Sequence, residues 1–236
     1  GQVVIACDGG SWRRDVFPQY KWARRNNRTE SSLDFDLIFK CLNMVREEIS
    51  LNMPYKVVHI PNVEADDIIG TLVEQTQEFG QHEDVMIISA DKDFIQLQKY
   101  GNVKQYSPMT KKFIKDENPH SYLFEHVLKG DSSDGIPNVL SGDDTFVESI
   151  RQSPMTKKKI QEYVDNAENL QSYMSDEVYR NYKRNQLLVD LAYIPAEIKK
   201  SIIDTSEAVK VPHRMKILNY LIKNRCKLLI ECIEDF

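Results

Sequence analysis

Two short apolar runs that each end in an acid constrain the fold more than anything else in this chain. VVIAC precedes Asp8 and VMIISA precedes Asp91. Continuous apolar runs of this length read as buried strands of a parallel sheet. In such sheets, ligands gather outside the carboxyl ends of the strands. Asp93 stands beside Asp91, and two further acidic groups follow other apolar or turn segments: Glu64 with Asp66 and Asp67, and Asp131 with Asp134. Asp143 and Asp144 make one more pair. Acids brought together from separate segments repel unless cations lie between them. Hard oxygen donors suit Mg²⁺ or Mn²⁺.

The rest of the chain supports that layout. KVVHI reads as a second strand, NVKQYS as a fourth, and LDFDLIFKCLNMVREEI as an amphipathic helix. EADDIIGTLVEQTQEF reads as a helix whose acidic first turn suits the helix dipole, and DFIQLQKY as a short helix. Strands alternating with helices imply an α/β sheet. After about residue 120 helical patterns take over, in YLFEHVLKG with Gly130 as its C-cap, in KKKIQEYV, and in HRMKILNYLIKNRCKLLIECI. The expected division is a 1–120 α/β unit and a 121–236 helical unit.

Composition excludes several classes. No apolar stretch reaches membrane-spanning length, and GQVVIACDGG lacks the basic start of a signal peptide. Four cysteines without a C-x-x-C pair argue against a zinc site or a disulfide framework, and for a reducing cytosol. Five histidines are dispersed without an H-E-x-x-H pattern and read as surface or core residues, not ligands. The net charge of −5 does not exclude nucleic acid, because clustered acids leave the remaining surface positive.

Each motif has a plainer reading. Asp91-Lys92-Asp93 fits a turn or helix cap as well as a site. Phosphatases with an aspartyl nucleophile carry a similar D-x-D, but Ile95 departs from their pattern. Glu64-Ala65-Asp66-Asp67 crowds three carboxylates at a cost the helix dipole only partly offsets, which favours a metal. Asp131 and Asp134 sit in GDSSDGIPN, which by itself is a hydrophilic turn. Arg13, Arg14, Lys21, Arg24, Arg25 and Arg28 interleave with Trp12, Phe17, Tyr20 and Trp22. That mixture is either a solvated helix or a surface that tracks phosphates and stacks on bases. Lys111 and Lys112, with Lys157 and Lys158, offer further phosphate contacts.

Taken together, EADDIIGTL, SADKDFIQL and GDSSDGIPNV resemble the 5′ nuclease family, which includes flap endonucleases and the 5′-exonuclease domain of bacterial DNA polymerase I. WRRD, LQKYGNVKQYSPM and the tail from YRNYKRNQLLVDLAYIP resemble its ribonuclease H branch in T-even bacteriophages. The resemblance covers essentially the whole chain. It implies a PIN-like α/β core followed by a helix–three-turn–helix. It implies hydrolysis of phosphodiesters at 5′ ends and flaps by two Mg²⁺ or Mn²⁺ ions about 4 Å apart. Asp8, Glu64, Asp66, Asp67, Asp91, Asp93, Asp131 and Asp134 are implied as metal ligands or their near neighbours. Asp66 and Asp91 would lie nearest the first ion, and Asp93, Asp131 and Asp134 would serve the second. Lys21 and Arg24 match a basic pair that holds the scissile phosphate, with Tyr20 supporting them or stacking.

The resemblance also implies DNA and RNA–DNA hybrid substrates, primer removal, a single-stranded-DNA-binding protein and a sliding clamp as partners, a monomer, and the host bacterial cytoplasm. It implies a K⁺ ion at the helix–three-turn–helix, although SGDDTFVESI stands where the family places Gly-x-Gly and a Lys. The family begins with another strand ending in an Asp, so this chain alone is expected to bind DNA but cleave poorly. A non-catalytic DNA-binding protein and a Toprim-type enzyme are the competing classes. The second lacks a place for GDSSDG and the basic pair.

Overall fold

Strand β1 (Val4–Cys7) and strand β2 (Lys56–His59) pair in parallel, with Ile5 opposite Val57 and Cys7 opposite His59. The structure is a computed structural model that describes residues 1–78, 80 and 82–236. Helices α1 (Arg13–Val16), α2 (Trp22–Glu30) and α3 (Phe35–Asn52) form the crossover between the two strands. Asp34 caps α3 by accepting from the Leu37 amide at 2.9 Å.

Helix α4 (Ala65–Gln75) follows β2, and the residue at which the sequence pattern ends it, Phe79, lies outside the described residues. Strands β3 (Val85–Ile88) and β4 (Val103–Ser107) are parallel, and β5 (Lys112–Ile114) adds antiparallel to β4. A 3-10 helix, Lys92–Lys99, links β3 to β4. Among the described residues the five strands therefore form two sheets instead of one.

Helix α4 ties the sheets together. Ile68 packs with Val58, Ile60 and Val63 on the β2 side. Val73 packs with Ile87, Phe94, Leu97 and Val103 on the other. Ile68 and Val58 are fully buried, and each such side chain stabilises by about 1.5–3 kcal/mol. The N-terminus of α4 is thereby fixed beside the carboxyl ends of both β1 and β3.

The remainder is helical: α5 (Pro119–Lys129), α6 (Lys157–Asp165), α7 (Leu170–Tyr173), α8 (Asp176–Val189), α9 (Ala196–Ala208), α10 (Met215–Lys223) and α11 (Lys227–Glu231). Asn118 caps α5 at its start, and Gly130 ends it at φ +65° as the sequence implied. The tail, which read as one helix, breaks at Arg225, whose φ is +55°. Residues 142–150, where the family pattern opens a helix, form turns.

The main core joins both halves of the chain: Phe17 and Tyr20 pack with Leu128, Ile136, Val139 and Leu188. Helix α8 anchors the acidic loop through buried side chains. Asn185 Nδ2 donates to Val127 and Pro137 carbonyls, and Asn181 Nδ2 donates to Val139 and Ser141 carbonyls.

Candidate metal centre and phosphate cleft

Every acid of the site sits where the fold turns. Asp8 follows β1 directly, and its Oδ1 accepts from the Ala65 amide at 2.8 Å, at the start of α4. The next residue must be glycine, since a Cβ at Gly9 would lie 1.9 Å from the Ile60 carbonyl oxygen. Asp66 occupies the first turn of α4. Asp91 caps the 3-10 helix, accepting from the Asp93 amide at 3.0 Å. Asp131 Oδ1 accepts from the amides of Ser133 and Asp134, which curls the loop so that both acids face inward. A Cβ at Gly130 would meet the Ile136 carbonyl at 2.3 Å. Asp66, Asp93, Asp131 and Asp134 line one crevice.

One side of this cluster is neutralised by the protein itself. Glu64 is buried and accepts from Ser11 Oγ (2.7 Å), Arg13 Nη1 (2.8 Å), the Tyr20 hydroxyl and Lys21 Nζ. Burial pushes its carboxyl up, but the charges of Lys21 and Arg13 and the bonds from Lys21 and Ser11 hold it below the usual range. Asp67 is fully buried, accepts from Trp12 Nε1 and the Glu64 amide, and pairs with Arg13 Nη2 at 2.8 Å. Arg13 also donates to the Leu188 carbonyl at 2.8 Å. Asp134 pairs with Arg24 (2.6 Å) and Lys21 (3.5 Å) and accepts from the Tyr20 hydroxyl (3.0 Å).

The other side is not neutralised. Burial, then the charge of Asp91, push the Asp66 carboxyl up to about 7, against the pull of Lys21. Burial likewise lifts Asp93 to about 6, with Asp91 and Asp131 adding to the shift and His126 opposing it. Asp131 is held well below its ordinary range, first by the imidazole of His126 facing it and then by Ser133. His126 projects from α5 between Asp93 Oδ1 (3.3 Å) and Asp131 Oδ2 (3.7 Å). Burial lowers its imidazole, but Asp131 facing it and the surrounding carboxylates outweigh that and raise it. Buried oxygens raised toward neutral pH for want of positive charge are the donor set that hard divalent ions take.

Five assignments change. Glu64 and Asp134 leave the ligand set, because Arg13, Lys21 and Arg24 already hold their oxygens. Asp67 leaves the ligand set, because its surroundings of Trp12, Arg13 and backbone seal it from the crevice. Arg13 leaves the nucleic-acid surface, because its side chain is 3% exposed and ion-paired on both sides. Tyr20 is buried, so it supports the acids and does not stack on a base. Asp8, Arg14, Lys21, Arg24, Arg25, Arg28 and Glu64 line a cavity of about 320 Å³ beside the acids. Lys111 in the β4–β5 turn, Lys112 at the start of β5, and Lys157 and Lys158 at the start of α6 are exposed and do not line it.

Asp143 pairs with Arg180 and Arg184, and Asp144 accepts from Gln19, so this pair braces the loop. The sequence reading missed His126. Its place in the turn of helix preceding Asp131 was the available signal.

Carboxylates that lack cations, beside a cavity lined with arginine and lysine, are the two parts of a phosphodiester-cleaving site. Residues 1–124 match the family described as 5′-3′ exonuclease, N-terminal resolvase-like domain. Residues 119–236 match T4 RNase H, C terminal. The ribonuclease H of Enterobacteria phage T4 is 35% identical across 100% of this chain and 79% of its own length. The 5′-3′ exonuclease of Mycoplasmopsis pulmonis is 25% identical across 98% of this chain and 78% of its own. A bacteriophage T5 protein co-crystallised with metal ions superposes at a TM-score of 0.62 with 18% identity, covering 88% of this chain and 84% of that one. The bacteriophage T5 flap endonuclease in complex with DNA and metal ions gives 0.57 with 20% identity, over 87% and 84%. The fold and site are those of a 5′ nuclease. The chain belongs to the 5′-3′ exonuclease family, with the second half of the phage T4 ribonuclease H type.

Proposed function

We propose that this protein hydrolyses phosphodiesters at 5′ ends and 5′ flaps of duplex DNA and RNA–DNA hybrids, and so removes primers during phage DNA replication. The observation that carries this reading is the convergence of Asp66, Asp91, Asp93 and Asp131 beside the Lys21–Arg24 edge of a basic cavity. These four acids would hold two divalent ions, with Asp66 and Asp91 at the first and Asp93 and Asp131 at the second. Bound there, the ions supply positive charge for the phosphate oxygens and lower the pKa of an attacking water.

The chain's own residues do the rest. Lys21 and Arg24 face the acids from the cavity side and hold the scissile phosphate, stabilising charge as it develops. Arg13, Tyr20 and Glu64 keep Lys21 in place. Arg14, Arg25 and Arg28 hold neighbouring phosphates. Water forms the new P–O bond, the P–O3′ bond breaks, and the leaving 3′ oxygen takes up a proton, which yields a 5′-phosphate and a 3′-hydroxyl.

The protein acts as a monomer in the host cytoplasm, beside a single-stranded-DNA-binding protein and a sliding clamp. Among the described residues, no helix is long and apolar enough to cross a membrane. The acidic end IECIEDF is a restricted contact point, since Ile230, Ile233 and Phe236 pack against Met53, Ile217 and Leu221. A K⁺ ion at the helix–three-turn–helix has less support, because residues 142–150 form turns.

The test is cleavage of a 5′-labelled flap and a nicked duplex in Mg²⁺, then in EDTA. Release of short 5′ products in Mg²⁺ alone supports the reading. Tight binding without cleavage in either condition, by the chain joined to the family's first strand and its Asp, overturns it in favour of a structure-specific binding protein.

A further inference from the structure

Among the described residues, one group of three donors meets the geometry of a metal site: Asp93, His126 and Asp131, whose nearest ligand atoms lie within 4.8 Å of one another. His126 faces Asp93 through Nδ1 at 3.3 Å and Asp131 through Nε2 at 3.7 Å. Both separations exceed the roughly 2.7–2.9 Å of a charge-assisted N–H···O bond. The Nδ1–Asp93 separation matches donors that share one ion at about 2.1 Å, which stand about 3–3.5 Å apart, and the Asp131 carboxylate lies within 4.8 Å of both. The ring is mostly buried at 15% exposure and is set edge-on to Tyr122, 73° from its plane. It is therefore held toward the crevice and not out in solvent.

We infer that His126 is a nitrogen ligand of the second divalent ion and tilts that site toward Mn²⁺ over Mg²⁺. The inference rests on the metal-dependent reading above. It goes beyond it by adding a nitrogen donor to a set of oxygens and a preference among ions. With one ring nitrogen on the ion, the other keeps its proton and holds the remaining carboxylate, as ligating histidines commonly do. Carboxylate and water oxygens satisfy Mg²⁺, whereas an imidazole nitrogen favours the later first-row ions. Asp134 lines the same crevice, but its oxygens are held by Arg24, Lys21 and the Tyr20 hydroxyl, which makes the imidazole the freer third donor.

The test is pulsed electron paramagnetic resonance of Mn²⁺ added to the full chain at one and then two equivalents. Nitrogen modulation that appears with the second equivalent, and is lost in His126→Gln, is expected. His126→Gln should also cut the preference for Mn²⁺ over Mg²⁺ by about tenfold in competition titrations, the lower end of the range for groups that tune a metal site. Two bound equivalents without nitrogen modulation in the unaltered chain would overturn the inference and leave the nuclease reading standing. Failure to bind Mn²⁺ above the level of an Asp66→Asn/Asp93→Asn variant would overturn both.

Discussion

The two sides of the acid cluster contain similar residues and do opposite work. Glu64, Asp67 and Asp134 are surrounded by Arg13, Lys21, Arg24, Tyr20, Trp12 and Ser11. Asp66, Asp91, Asp93 and Asp131 face one imidazole and each other. The first side is a scaffold whose charge is balanced within the chain. The second is incomplete without added cations. An acid's role in this fold follows from its neighbours and not from its motif, since Asp66 and Asp67 are adjacent and belong to different sides.

The largest expected effect breaks the second side. Asp66→Asn should lower cleavage by about 10³-fold or more, because oriented charge at the reacting phosphate is lost. The same change should raise the melting temperature of the metal-free protein near pH 8, since it removes an uncompensated buried charge. A lower melting temperature would show that Asp66 belongs to the scaffold.

Arg13→Ala should act on stability instead, costing about 3–5 kcal/mol because Glu64 and Asp67 are left buried without their partner. Chemical denaturation measures this, and a change within 1 kcal/mol, well below the usual loss for breaking a buried pair, would contradict the scaffold role. Lys21→Ala bridges the two sides and should slow the chemical step by about 10²-fold, with a smaller loss of DNA affinity. Single-turnover rates beside equilibrium binding separate the two, and a pure affinity loss would refute a role at the phosphate.

The smallest effect is the pH profile of the metal-free protein. Asp66, raised to about 7, and Asp93, raised to about 6, bind protons more tightly when folded than when unfolded. Stability from these groups is present at low pH and falls as pH rises through about 6–7. His126, also raised, acts in the same direction. Glu64, held low, contributes above its unfolded pKa and loses its contribution in acid. Stability without metal should therefore peak near pH 5 and decline toward pH 8, and Mg²⁺ should flatten the decline. Differential scanning calorimetry across that range checks it.

Much of this was legible in the sequence. The runs before Asp8 and Asp91 are parallel strands, but not buried ones, since Val4, Met86 and Ile88 are exposed, and EADDIIGTL opens a helix that touches both sheets. GDSSDGIPN announced an acidic loop through its bounding glycines. What could not be read was partnership. Arg13 and Arg14 are neighbours in one basic segment, yet one is buried between two acids and the other lines the cavity. No periodicity separates them, because the partners of Arg13 lie at residues 64, 67 and 188. His126 escaped for a similar reason: histidine motifs are local in sequence, while its acids come from a 3-10 helix and a loop. The break into two sheets also followed from pairing between distant strands, which alternation of elements does not encode.

The pairing of Arg13, Lys21 and Arg24 with the chain's own carboxylates changes what salt can report. The steepness with which ionic strength weakens binding counts the small ions released when cations meet phosphates. A side chain that already holds an internal anion has few such ions to release. Two of the five basic residues that line the cavity, Lys21 and Arg24, are in that condition, so the salt slope of DNA binding will fall short of the number of residues that touch the backbone.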